Sequence, residues 1–424
     1  MIGLIILCVY VALFVGSFLL ITFLVRSATN DFTSLKTVTF GDESAVRPNR
    51  WASIISIVAI FLIWGSFTGS KYIPSFLHAP APFVGESSFT YTLEDANGAR
   101  DDATVFVRVA ELGEKADKFE VEPGEGMAKD DALAMSASRT ETLLFDKNDD
   151  ATRKDGARVV AINGEAIGPD IELRLDAGRF TLTSKGAISF TPTTGLQMDP
   201  LYLPPPENVV RRFLEIATEG YRGYLLHEHL GISLFRVIAG FFFGALLGIP
   251  LGYAMGLANW PRGWFDPIVE FMRPVPPLAL IPLMIIWFGI DEESKIILLF
   301  LAAFWIMIIA ARSGVSGVNI TKVHAAYSLG ASKAQILRQV IVPNSLPEIF
   351  TGARVAMGVC WGTVVAAELV SGVNGAGFMI MAASKFQQTD IVLLGIILIG
   401  SIGFGIDILM RMAERKLVPW KGRS

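Results

Sequence analysis

The chain of 424 residues contains only two cysteines, Cys8 and Cys360, and both fall inside apolar runs. That placement argues against a disulfide framework or a cysteine metal site. Histidine is also scarce. His78, His227, His229 and His324 are scattered, and His227 with His229 reads as a solvated pair at a helix start, not as a metal site. No GxxxxGK[ST] loop occurs, so the chain by itself has no cradle for ATP phosphates, and energy must come from a partner. A nucleophile elbow, an HExxH helix and a Cys/His cluster are missing too, which leaves no support for an enzyme. Neither a cofactor nor nucleic acid is implied.

What is abundant is apolar sequence. Hydrophobic residues make up 52% of the chain and the mean hydropathy is +0.49, too apolar for an ordinary soluble protein. Several runs are long enough to cross roughly 30 Å of hydrocarbon. Hydropathy predicts seven spans, at about 2–25, 51–69, 231–256, 268–289, 294–312, 349–371 and 390–411. The first run has no basic residue before it, Arg26 after it and no small-residue cleavage site at a suitable distance, so it reads as an anchor and not as a signal peptide.

Lys and Arg in short loops mark the cytoplasmic side. Arg26, Lys36, Arg47 and Arg50 lie between the first two spans, and Arg262 and Arg273 flank the third loop. Lys322, Lys333 and Arg338 occupy the next polar segment, and Arg411, Arg415, Lys416, Lys421 and Arg423 line the tail. The remaining short connections carry Asp291, Glu292 and Glu293. The expected topology puts the N-terminus and residues 70–205 outside and the C-terminus inside.

Residues 85–200 hold 23 Asp and Glu against 13 Lys and Arg, a net of −10 in a chain whose total is −4. A water-exposed domain follows from that shift. Segments 89–93, 103–109 and 179–183 alternate β-formers, with turns at Asn97-Gly98, Asn163-Gly164 and Lys185-Gly186. Their rhythm resembles bacterial cadherin-like and immunoglobulin-like β-sandwich modules. Asp146, Asp149 and Asp150 could contribute calcium ligands, but they lack a full ligand spacing and read as a solvated acidic turn, so no metal is assigned. The expected organisation is an extra N-terminal helix at 1–27, a cytoplasmic loop at 28–50, a transmembrane helix at 51–70, a periplasmic β-rich insert at 80–198 and a helical core at 203–424.

Residues 313–348 form a polar, basic segment between two apolar runs, with its own helical pattern. His324-Ala325-Ala326, Gly330 and then Val340-Ile341-Val342-Pro343 resemble the EAA loop of ABC importer permeases, a short helix that docks on a cytoplasmic ATPase. Ala325 and Ala326 let a partner surface approach, Gly330 permits a turn at positive φ, and Pro343 is expected to end the second helical piece. His324 replaces the family's usual glutamate, so a carboxylate contact to the ATPase does not carry over.

From Leu203-Pro204-Pro205-Pro206 onward the chain is similar to the taurine, nitrate and alkanesulfonate class of these permeases. Arg273-Pro274-Val275-Pro276-Pro277, Ile286-Trp287-Phe288-Gly289, Ser328-Leu329-Gly330-Ala331-Ser332 and Val364-Val365-Ala366-Ala367-Glu368 also carry the resemblance. It implies a mainly α, polytopic helical bundle of the type I importer kind, into which the β-rich domain is inserted. It also implies a bacterial inner-membrane permease for taurine or another small sulfonate, with nitrate or another small solute as the alternative. The expected partners are a second permease copy, two cytoplasmic ATPase copies and a periplasmic substrate-binding protein.

Other residues have physical readings of their own. Pro274, Pro276, Pro277 and Pro282 break helical hydrogen bonding, which protein or water can tolerate and lipid cannot, so Pro276 and Pro277 are pathway candidates. Gly240, Gly244, Gly248, Gly252 and Gly256 recur every fourth residue and predict a close helix contact, read as static packing. Arg354 and Glu368 lie in or beside a span and should face the bundle interior. Glu368 is read either as a gate residue or as half of an internal ion pair, and Trp361 and Thr363 are further candidates for lining the route. Two rivals remain: a secondary transporter, which would show broken helices paired in two related halves, and a membrane-anchored adhesion or sensor protein.

Overall fold

A computed structural model describes residues 2–25, 50–169, 171–175 and 178–420. Nearly all of the expected loop 28–50, with Lys36 and Arg47, lies outside the described residues, as do Arg26, Lys421 and Arg423. The chain divides into two units, Met1–Asn208 and Val209–Ser424.

The first unit opens with two apolar helices, α1 (Ile2–Val25) and α2 (Arg50–Thr68), followed by β1 (Gly85–Glu94), β2 (Arg100–Ala110), β3 (Asp131–Ser136), β4 (Glu141–Leu143), β5 (Arg158–Ile162), β6 (Glu165–Ala166), β7 (Leu173–Leu175), β8 (Gly178–Leu182) and β9 (Ile188–Pro192). The strands form two sheets, ordered β3-β2-β1-β5-β6 and β4-β9-β8-β7. Every second residue of β2 from Ala103 to Val109 is buried, as the pleat requires. Phe89 of β1 packs against Phe180 at 4.8 Å and Phe190 at 5.3 Å, so the sheets share one core. Asn163 and Gly164 both adopt positive φ in the β5–β6 hairpin.

The β2–β3 pair is parallel, which an all-antiparallel sandwich would not contain. The three carboxylates weighed as calcium ligands serve protein groups. Asp146 pairs with Arg153, Asp149 is buried against the Tyr91 hydroxyl and the Lys129 N–H, and Asp150 lies 3.4 Å from Lys129.

Helix α3 (Pro206–Thr218) leads into the second unit: α4 (Leu226–Leu257), α5 (Asn259–Met272), α6 (Ile281–Phe288), α7 (Glu292–Ser316), α8 (Ile320–Ser328), α9 (Lys333–Ile336), α10 (Val342–Ser371), α11 (Ala376–Lys385) and α12 (Thr389–Leu417). Among the described residues, α4, α7, α12, residues 51–68 of α2 and the stretch Lys333–Ser371 are long and apolar enough to cross a membrane. The span expected at 268–289 is instead broken. Helix α5 and the segment Pro277–Phe288 meet at 90°, because Pro274 and Pro276 supply no N–H and Pro276 is extended.

A second correction concerns Pro343. It does not end a helical piece but sits in the first turn of α10, which starts before the expected 349, and α7 also runs past 312. The long helices thus leave only 317–341 of the predicted loop 313–348. The irregular element comes earlier, as a π turn at Leu337–Ile341, where the Val342 N–H donates to the Leu337 carbonyl. Pro343 has no N–H for the Gln339 carbonyl, and the hydrogen-bond register slips there by one residue.

The predicted glycine stripe is the seam between α4 and α7. A Cβ at Gly240 would stand 2.4 Å from Leu299 Cβ, one at Gly244 2.6 Å from Ala303 Cβ, and one at Gly252 2.5 Å from the Ile308 carbonyl oxygen. The backbones touch wherever a side chain is missing. Gly244→Ala is therefore expected to lower the melting temperature of the detergent-solubilised chain, since overpacking costs about 1–3 kcal/mol. Gly400→Ala in α12 meets nothing within 4 Å and should raise it through helix propensity, by about 1 kcal/mol. Shifts of the same sign in both variants would refute the seam.

Candidate functional site

Three residues of α4, His229, Ser233 and Arg236, fall on one face at spacings of four and three. All three are fully buried, and Glu368 near the end of α10 is 1% exposed. The Arg236 guanidinium donates through Nη1 to Glu368 Oε1 at 2.5 Å, through Nε to Glu292 Oε2 at 2.5 Å, and through Nη2 to Asn374 Oδ1 at 2.5 Å. One planar fork thereby joins α4, α7, α10 and the turn before α11. Lys295, 2% exposed, adds a second contact to Glu292 at 3.4 Å, so two cations face two carboxylates. The Glu292 side chain keeps half its surface open, whereas Glu368 and Arg236 have none.

The same residues seat the start of α11. The Gly375 N–H donates to His229 Nδ1 at 3.1 Å, the Ala376 N–H to Ser233 Oγ at 2.9 Å and the Gly377 N–H to Glu368 Oε2 at 2.9 Å. These are the amides that a helix leaves unpaired at its N-terminus. Because His229 Nδ1 accepts, the ring proton sits on Nε2, which donates to the Tyr221 carbonyl at 3.0 Å. Gly375 adopts φ +112°, and a Cβ there would lie 2.4 Å from the Glu368 carboxyl carbon. The pocket that seats Glu368 thus admits only hydrogen at this position. This end of the bundle is held by a hydrogen-bonded charge network that is buried at Arg236 and Glu368 and open to its surroundings at Glu292.

At the opposite end, roughly 40 Å away along α10, lies the segment 317–341. Asn319 caps α8 by accepting from the Thr321 N–H, and Ser332 with Gln335 forms a capping box at α9. Gly330 joins them at φ +81°, with nothing near its missing Cβ. His324, Ala325 and Gly330 are exposed, Ala326 and Pro343 half-buried, and Leu329 is 87% exposed.

Of the pathway candidates, only Glu368 joins the charge network. Trp361 is buried, its indole N–H donates to the Ile399 carbonyl at 3.0 Å, and Thr363 is buried as well. Both pack inside the subunit. Pro276 is exposed and Pro277 half-buried at the 90° break. Arg354 pairs with Glu414 of α12 at 2.9 Å. Sequence reasoning missed Arg236, Ser233 and Asn374, although a signal existed for the first, and it read His229 as half of a solvated pair, whereas the ring is fully buried with both nitrogens bonded to backbone groups. An arginine inside a predicted span must find a partner.

Residues 244–419 match the family described as binding-protein-dependent transport system inner membrane component. The chain is 47% identical over 243 residues to the taurine transport system permease protein TauC of Escherichia coli K12, covering 57% of this chain and 88% of that protein. It is 39% identical to SsuC of Bacillus subtilis 168, named as an aliphatic sulfonates transport permease protein, over 52% of this chain and 78% of that one. Similarity extends to the bicarbonate transport system permease protein CmpB of Synechococcus elongatus, at 34% identity over 43% of this chain and 66% of that protein.

Removing one partner of a buried ion pair strands the other, at about 3–5 kcal/mol. Arg236→Met and Glu368→Met should each sharply reduce the melting temperature of the purified chain, and the double variant should be more stable than the sum of the two losses allows. Strict additivity would show that the two charges do not depend on one another.

Proposed function

The chain belongs to the binding-protein-dependent transport system inner membrane component family, and from that premise we propose that its cargo is taurine or another small sulfonate. It is the membrane-spanning permease subunit of an ATP-driven ABC importer, a multi-pass protein of the inner membrane, and ATP hydrolysis belongs to a partner subunit. The observation that carries the choice of cargo is the 47% identity to a taurine permease over 88% of its length. The sulfonate-named relative supports the same class. ATP-dependent uptake of labelled taurine into proteoliposomes holding this chain, its ATPase and its loaded binding protein tests the assignment. Absence of ATP-dependent taurine or alkanesulfonate uptake, with nitrate or bicarbonate transported instead, would overturn it.

In the proposed assembly two copies of the chain form the permease, each carrying one ATPase on its 317–341 segment. The exposed α8–Gly330–α9 hairpin supports this, because it presents Leu329 and the His324 face on a capped, preformed frame. The network of Arg236 and Glu368 then lies at the extracytoplasmic end of the bundle, where it holds the outer helix ends together as a structural ion pair and not as an anion ligand. The β-rich region 80–198 is proposed to be an extracytoplasmic insert. Its net acidity disfavours capture of a sulfonate and suits a basic patch on the binding protein.

Gly330→Val should uncouple transport from hydrolysis, since a β-branched residue resists φ +81°. Wild-type stimulation of the ATPase by that variant would count against the docking role. Topology is checked separately. Ser138 is exposed in the β-rich unit, and Ser138→Cys should react with an impermeant thiol reagent in cells with a permeabilised outer membrane. Labelling only after lysis of the inner membrane would reverse the orientation.

A further inference from the structure

Helix α10 begins with two prolines four residues apart, Pro343 and Pro347. In an α-helix the Pro343 carbonyl would accept from the N–H of residue 347, and proline has none. That carbonyl instead accepts from the indole Nε1–H of Trp420, at 3.2 Å. The donor arrives from the segment after α12, which is held in place. Val418 is 2% exposed and its N–H donates to the Glu414 carbonyl, while Glu414 pairs with Arg354 of α10. The end of α12 thus grips the first turns of α10 at Pro343 and Arg354. On the loop side, Lys322 of α8 donates to Asn344 Oδ1 at 2.7 Å, and Asn344 Nδ2 donates to the Val340 carbonyl at 2.6 Å. These hydrogen bonds join the loop to α10 at the turn that the prolines weaken and the π register precedes.

We infer that Trp420 is a positioning residue for energy coupling: its indole N–H replaces the donor that Pro347 withholds and keeps the base of α10 stiff where the loop pushes on it. This rests on the reading that segment 317–341 docks on the ATPase. Without the indole bond, the proline-broken turn absorbs the displacement of the loop instead of passing it to α10. The ATPase would still cycle, but less of each cycle would reach the helices.

The measurement is substrate transported per ATP hydrolysed in proteoliposomes containing the permease, its ATPase and the binding protein, normalised to inserted permease. Trp420→Phe keeps a ring and removes only the N–H, and should lower that ratio about fivefold, as the loss of one hydrogen bond would. In the Pro347→Ala background, residue 347 supplies its own N–H and the same Trp420→Phe change should have no effect. An equal loss in both backgrounds would show that the ring only packs, and no loss in the unaltered background would show that the bond is idle; either result overturns the inference. If Pro347→Ala alone silences transport, hydrogen exchange of the 342–352 amides in the purified chain decides. Faster exchange in Trp420→Phe only while Pro347 is present supports the inference, and unchanged exchange defeats it. Gly330→Val, assayed alongside, separates the two levels. If it uncouples and Trp420→Phe does not, only the Trp420 role fails; if it leaves coupling intact, the docking reading itself fails.

Discussion

The guanidinium of Arg236 is the constraint around which the second unit is arranged. A charge with no exposed surface in an apolar bundle is tolerable only if its donors are met, and here Glu368, Glu292 and Asn374 meet them from three directions. Because those partners lie near the end of α10, at the start of α7 and before α11, satisfying one side chain fixes four elements at once. Glu368 in turn has its remaining valences taken by Ser233 and the Gly377 amide. Glu368, which the sequence left as either a gate residue or half of an internal ion pair, is ion-paired with Arg236 in the fold.

The rest of α4 continues that face without charge. Below Arg236 the glycines at 240, 244, 248 and 252 bring the α4 and α7 backbones into contact, so one helix face carries both the ionic anchor and the close-packed seam. Rigidity concentrates there. The helical irregularities at the start of α10, the π turn and the proline pair, lie at the opposite end.

The two units place different demands on their sequences. The strands show their period of two, and their turns announce themselves through Asn-Gly pairs, so the β-rich region was legible from local pattern. Even so, the parallel pairing of β2 with β3 was not, because a pairing direction depends on how residues 111–130 cross and no single strand encodes it.

For the helical unit, apolar runs and fourfold glycine spacing were enough to find α4, α7, α10, α12 and the seam, since lipid and backbone contact each demand a simple periodic pattern. The loop around Gly330 was legible because a positive φ between two capped pieces needs glycine and polar caps in order. The partners of Arg236 were not, because Glu292, Glu368 and Asn374 lie 56 to 138 residues away and only the packed bundle brings them within 2.5 Å. The covering of Trp361 and Thr363 was illegible for the converse reason: a helix shows which residues share a face, but not whether another helix of the same chain packs on it. Composition and spacing determined that this chain crosses a membrane and carries a polar helical segment with a glycine turn between two spans. Which charges are paired, which prolines bend and which carbonyl Trp420 completes were decided by tertiary contact, since each depends on a donor and an acceptor far apart in the chain.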